Sequence, residues 1–222
     1  MFTGIILAKG RVAALDPKGG DVVIRIECPE LDPERFAEGE SIAVSGVCLT
    51  ALNIDAQGFS ADVSRETLNV TALGDWRVGS HVNLEPSLAI GDRLGGHLVT
   101  GHTDGVAVLE SRHDDARSIR LRFTADESLL PFIAKKGSVA VSGVSLTVNE
   151  ADNSGFEVNI IPHTAEETTL GDLQAGDRVN IEVDLLARYA QRLLGFAGAN
   201  GSIDEDFLRQ HGFAASSDRG AA

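Results

Sequence analysis

Residues 41–50 read SIAVSGVCLT and residues 138–147 read SVAVSGVSLT, identical at eight of ten positions and 97 residues apart. Carried outward without a gap, the same offset lays Thr3-Gly4 on Thr100-Gly101, Gly58-Phe59 on Gly155-Phe156, Leu73-Gly74-Asp75 on Leu170-Gly171-Asp172, and Val82-Asn83 with Glu85 on Val179-Asn180 with Glu182. The chain is an internal duplication. Its period is far longer than a solenoid unit, and each copy is long enough to bury a small core of its own. Within the repeated stretch Ile42 and Val44 face inward, a Ser-Gly turn follows, and a second strand runs through Leu49. Val22, Ile24 and Ile26 alternate with polar neighbours, as do Ile119, Leu121 and Phe123, which is the period of a half-buried strand. Asp55–Gly58 and Asp152–Gly155 predict hairpin turns, since glycine supplies the positive φ of a tight connection. Many short strands in each copy, with frequent turn signals, predict an all-β fold of two similar antiparallel barrels, closed so that no sheet edge is left exposed.

The remaining segments fill in this frame. Phe2–Leu7 predicts a strand starting at residue 2, Asp16–Gly20 and Arg112–Asp115 predict turns, and Leu31–Ala37 and Ser128–Ala134 predict a helical turn or two each. Residues 86–97 connect the copies, giving domains at 1–97 and 98–184. The tail, 185–222, differs: Leu185, Leu186, Tyr189 and Leu193 share one face of a helix whose apolar side needs a partner, which points to a subunit interface. Ser202-Ile203-Asp204-Glu205 has the spacing of a capping box for a short helix to about residue 210.

With 222 residues, 43% of them hydrophobic and 23% charged, the composition is that of an ordinary globular protein. A net charge of −14 repels phosphate backbones and anionic membrane surfaces, which argues against nucleic-acid and membrane partners and for a small organic ligand. Cys28 and Cys48 are too few for a disulfide framework, and MFTGIILAKG lacks the basic start and apolar run of a signal, so a cytoplasmic location is expected.

MFTGI at the start, SGVCLT in copy one, GGHLVTGHTDG at the junction, SGVSLTV in copy two, IPHTAEETTLG after it and VNIEVD before the terminal helix resemble the riboflavin synthases of the lumazine-binding-repeat family. The likeness runs from Met1 to about Leu194. It implies two six-stranded Greek-key barrels and a homotrimer assembled through the C-terminal helix, with the pocket of the first barrel facing the second barrel of a neighbour. It also implies dismutation of two 6,7-dimethyl-8-ribityllumazine molecules to riboflavin and a pyrimidinedione by transfer of a four-carbon unit, with no metal or cofactor. A complex with the preceding pathway enzyme, lumazine synthase, stays open.

The resemblance places one substrate pocket on Gly4, Ile5, Ile6, Ser41, Cys48, Leu49, Thr50, Asp62, Val63, Ser64 and Thr67. It places the other on Gly101, His102, Thr103, Lys136, Ser145, Leu146, Thr147, Ile161, Pro162, His163 and Thr164. Catalytic roles fall on His102, Lys136, Cys48, Ser145 and Asp184. Cys48, matched by Ser145, is either a thiol that adds to the pteridine or a wall of the pocket. His102 lies in the pocket, where it is a candidate for proton transfer, while His97 reads as supporting structure. Lys136 replaces Gly39 and either stabilises an anion in the substrate or is a solvated turn lysine. Asp184 either caps the terminal helix or supports the chemistry. Two rival readings remain: a non-catalytic lumazine- or flavin-binding antenna, and the flavin barrel of a reductase. The latter needs a nucleotide-binding domain with G-x-G-x-x-G, which does not occur here.

Overall fold

The computed structural model describes residues 1–32 and 36–199, with side chains to residue 194. Copy one contributes β1 (Ala8–Lys18), β2 (Asp21–Glu27), β3 (Ser41–Val44), β4 (Val47–Thr50), β5 (Leu52–Asp55), β6 (Gly58–Val63) and β7 (His81–Pro86). Copy two contributes β8 (Gly105–Asp115), β9 (Ser118–Thr124), β10 (Ser138–Val141), β11 (Val144–Ala151), β12 (Gly155–Ile160) and β13 (Arg178–Val183). The second set closes into a six-stranded antiparallel barrel in the order β10-β11-β12-β9-β8-β13. The first runs β4-β3-β7-β1-β2-β6-β5 as a seven-stranded half-barrel that stays open between β4 and β5, so the closure expected of both copies is found only in the second. Its edge strands β4 and β5 are separated only by Ala51, so together they occupy the place of the continuous β11.

Alternation dictates which residues fill each barrel. Ile24, Ile26, Ile42, Val44, Phe59 and Leu84 are buried in the first, and Leu121, Phe123, Val139, Val141, Phe156 and Val158 in the second. Each such side chain is worth about 1.5–3 kcal/mol on burial, and Phe123 stacks on Phe156 with ring centroids 5.5 Å apart.

Three further expectations change. The strand foreseen from residue 2 is a single bridge, Phe2 with Val99, and β1 begins only at Ala8. Gly4, at φ +76°, turns the chain out of extended geometry between them. Arg112–Asp115 is the end of β8, not a turn, and the chain reverses after it at Ala116, φ +56°. The charges there are outward-facing rungs: Arg120 of β9 binds Asp115, and Arg122 binds Glu110. Two short helices were not foreseen, α1 (Arg65–Val70) and α2 (Pro162–Glu167), each followed by a 3-10 turn at Ala72–Asp75 and Thr169–Asp172. Leu130–Phe132 forms a 3-10 turn where one was expected. Residues 33–35 of the other expected turn, and the helix expected from Ser202, lie outside the described residues.

The copies meet at a seam that repeats itself. Phe2 and Val99, bridged, are 97 apart, as are Ala43 and Ala140, and all four form one buried cluster. The Ser45-Gly46 and Ser142-Gly143 turns touch: a Cβ on Gly46 would stand 2.7 Å from the Gly143 nitrogen, and one on Gly143 2.7 Å from that of Gly46. Buried Asn83 donates to the Ser142 carbonyl at 2.9 Å, and buried Asn180 donates to the Ser45 carbonyl at 2.9 Å. In return the Asn83 carbonyl oxygen accepts from Thr169 N–H, and that of Asn180 accepts from Ala72 N–H. Equivalent residues thus bond equivalent residues across an approximate two-fold axis.

A second unit begins at Leu186 and holds, among the described residues, most of helix α3 (Leu185–Ala199). Its Leu186, Tyr189, Leu193 and Leu194 are exposed. Among the described residues no helix is long and apolar enough to cross a membrane.

Candidate functional site

The Thr-Gly pairs are held by buried carboxylates. Glu85, on β7, accepts from the N–H and hydroxyl of Thr3 at 2.7 Å each and from Gly4 N–H at 2.9 Å. Glu182, on β13, does the same for Thr100 at 2.6 and 2.7 Å and Gly101 at 2.8 Å. Burial pushes the Glu85 carboxyl up from its ordinary range, and its three donors pull it back. The turns so held have Gly4 at φ +76° and Gly101 at φ +80°.

Each turn docks on the other copy. Ser145 N–H donates to the Gly4 carbonyl at 2.8 Å, and Cys48 N–H donates to the Gly101 carbonyl at 2.9 Å. Only glycine fits: a Cβ on Gly4 would stand 2.6 Å from the Ser145 Cβ, and one on Gly101 2.5 Å from the Cys48 Cβ. The grouping expected from the sequence is therefore crossed. Gly4, Ile5 and Ile6 lead to the corner of the second barrel, where Ile6 packs on the second core. Gly101, His102 and Thr103 lead to the corner of the first, beside Cys48.

Both corners are places where a ladder stops. The β11–β12 pairing ends at Val148↔Val158, so Leu146 and Thr147 on one strand and Asn159 and Ile160 on the other no longer bond each other. In copy one β5 and β6 pair only as far as Leu52↔Ser60, and β4 does not pair with β6. Thr50 and Asp62, exposed, flank that gap. Leu49 and Val63 are buried in the first core, so only their backbone can serve a ligand. Ser41 pairs with Thr50 from the far side of β4.

The short helices border the same gaps. Ser64 caps α1, accepting from Thr67 N–H at 3.1 Å. Ile161 and Pro162 open α2, whose first turn carries exposed His163 and half-buried Thr164. Runs of backbone donors and acceptors between apolar walls suit the edge of a flat heterocycle.

The corners differ in chemistry. Ser145, in the place of Cys48, has its hydroxyl 2.7 Å from His97 Nδ1, and His97 Nε2 is buried with no hydrogen-bond partner among the described residues. Burial pushes the His97 pKa down, against the pull of the Asp184 and Glu182 carboxylates. Sequence reading gave His97 only a supporting part; the structure puts it against the Ser145 hydroxyl. Lys136 keeps the backbone of Gly39: its N–H donates to the Val148 carbonyl as that of Gly39 does to Ala51, and its φ of +67° is left-handed like the +90° of Gly39. A lysine held there carries about 1–2 kcal/mol of strain that glycine would not. Its side chain is exposed and makes no hydrogen bond or ion pair among the described residues. Glu85 and Glu182, which hold the two turns, are not among the site residues read from the sequence, and neither is Asn159, whose buried Oδ1 has no hydrogen-bond partner among the described residues. The offset of 97 marked the two glutamates as equivalent, and it also sets Asn159 on Asp62.

Two like β-units, each with a corner where a ladder stops and the Thr-Gly turn of the other docks, define a duplicated fold. The chain belongs to the lumazine binding domain family, whose model matches residues 3–87 and 100–184. It is 48% identical over 198 residues to the riboflavin synthase of Brucella abortus (strain 2308), spanning 87% of this chain and 98% of the relative. It is 42% identical over 216 residues to that of Photobacterium phosphoreum, spanning 96% and 99%. Among solved structures it resembles LumP complexed with riboflavin, with a TM-score of 0.77 and 25% identity over 82% of this chain and 99% of that one.

Proposed function

We propose that the chain is a riboflavin synthase. Two 6,7-dimethyl-8-ribityllumazine molecules react, one giving a four-carbon unit to the other, and riboflavin and 5-amino-6-ribitylamino-pyrimidinedione leave. The two products hold every atom of the two substrates, so the balance needs no oxidant or co-reactant. The observation that carries this reading is the pair of like corners, each sealed by the Thr-Gly turn of the other copy. Dismutation needs two copies of one molecule, and a duplicated site meets that need with one design. Holding both reactants together lowers the activation barrier by up to about 7–11 kcal/mol through proximity.

The corners are unlike enough to divide the work. Neutral His97 accepts a proton from the Ser145 hydroxyl, which supplies a nucleophile or base at the second corner. At the first corner Cys48 lines the ring, and His102 takes a proton from a substrate methyl group. Lys136 and Asp184 stabilise charge that develops in the pair. The substrates of neighbouring subunits meet in a cytoplasmic homotrimer built through α3, and lumazine synthase is the partner that would deliver substrate to it.

The test is to incubate the purified protein with 6,7-dimethyl-8-ribityllumazine alone. One riboflavin formed for every two lumazines consumed is expected. Tight binding without riboflavin would favour the antenna reading instead.

A further inference from the structure

The short helices α1 and α2 are equivalent under the offset of 97, yet they are held at opposite ends. At α1 the Ser64 hydroxyl caps the start, accepting from Thr67 N–H. At α2 its place is taken by Ile161, which has no side-chain acceptor, so the first turn lacks a side-chain cap. With six residues, α2 is also too short to be held by its own hydrogen bonds. The other copy makes up for this at the far end. Lys9, exposed on β1, donates through Nζ to the Glu166 carbonyl in the last turn of α2, 157 residues away. There a cation meets carbonyls that the helix itself leaves unpaired. Glu30 and Asp172 line the same groove as Lys9, but the bond the ammonium makes is to the helix. Val106 stands at the repeat position of Lys9 and has nothing to donate to Asn69, the counterpart of Glu166 in α1. The 3-10 turn after α2 is anchored separately, Thr169 N–H on the Asn83 side chain and the Gly171 carbonyl on Arg112. The helix is therefore the part whose place depends on Lys9.

We propose that Lys9 is a positioning residue for the second corner. By holding the end of α2 from the first copy, it sets where the opening turn of that helix, with His163 and Thr164, meets the ligand. This rests on the function proposed above. Lys9 acts through the helix and not on the substrate itself. The two corners are thus adjusted by different means, the first by a cap from its own copy and the second by a cation from the other.

The experiment uses the full chain and three variants. Lys9→Met keeps the apolar stem, Lys9→Arg keeps the charge, and Lys18→Met removes one positive charge from the exposed end of β1. In hydrogen–deuterium exchange, the amides of residues 161–168 should exchange several-fold faster in Lys9→Met, while those of residues 64–71 keep the wild-type rate. Affinity for 6,7-dimethyl-8-ribityllumazine should fall about threefold to tenfold at one of the two sites and hold at the other. Lys9→Arg should restore both measurements, and Lys18→Met should disturb neither. If Lys9→Met aggregates, Lys9→Gln should show the same paired change. Faster exchange with full affinity would reduce Lys9 to a structural tie and overturn the assignment, as would unchanged exchange or an equal loss in Lys18→Met. Wild-type protein that makes riboflavin while Lys9→Met matches it in both measurements would sink only the role of Lys9. Wild-type protein that neither binds nor converts the ribityl compound would sink the functional reading as well.

Discussion

At the scale of single residues, the differences between the copies carry the most information. Lys136→Gly should restore the backbone that Gly39 enjoys and raise stability by about 1 kcal/mol, while turnover falls at least tenfold and denaturation midpoints rise. Loss of both stability and turnover would mean that the lysine is structural. His97 offers a pH test. Because its folded pKa lies below the ordinary 6.5, the unfolded chain takes up a proton on this ring before the folded one does. Stability should therefore decline as pH falls below about 6.5 and level off under the folded pKa. His97→Gln should flatten that decline in melting temperatures taken from pH 7.5 to 5, and parallel curves for the two proteins would refute it. The sequence displayed Cys48 against Ser145 and Gly39 against Lys136. It could not display the stranded oxygen of Asn159, because a missing bond is a property of packing.

At the scale of elements, each Thr-Gly turn is fastened by a glutamate of its own barrel and seals the corner of the other. Glu182→Gln turns a carboxylate oxygen into a donor facing donors, so Gly101 should lift from Cys48. Glu85→Gln should instead loosen Gly4 from Ser145. Alkylation of Cys48 by iodoacetamide, followed by mass spectrometry, should accelerate several-fold in Glu182→Gln and stay at the wild-type rate in Glu85→Gln, with buried Cys28 as the internal reference. Equal acceleration in both would show general loosening instead. This crossing was hidden in the sequence. An offset of 97 says which residues are equivalent but not which corner an equivalent residue serves, so sequence alone groups the pockets copy by copy. The strands were legible where one face is buried, as at Ile24 and Ile26. They were misread at Arg112–Asp115, where charges on the outer face of β8 imitate a turn.

At the scale of the whole molecule, the duplication, the two all-β repeats and the terminal helix were legible, since each rests on periodicity or on exact self-match, whereas the open edge of the first sheet was not, because equivalent strand patterns do not tell whether the last ladder forms. Truncation after Asp184 removes the exposed face of α3. It should give monomers by analytical ultracentrifugation that still bind ligand at the first barrel but have lost turnover; an active monomer would contradict assembly through α3. The seam between the copies has a wider meaning. Because Asn83 does for copy two what Asn180 does for copy one, and Phe2 meets its own counterpart in Val99, the buried contacts at its centre are reciprocal, as in an isologous dimer. A chain holding a single copy could make the same contacts with its twin. The molecule thus has the layout of an ancestral homodimer fused into one gene, and fusion is what freed the halves to diverge: two identical chains could never have held a cysteine at one corner and a serine at the other.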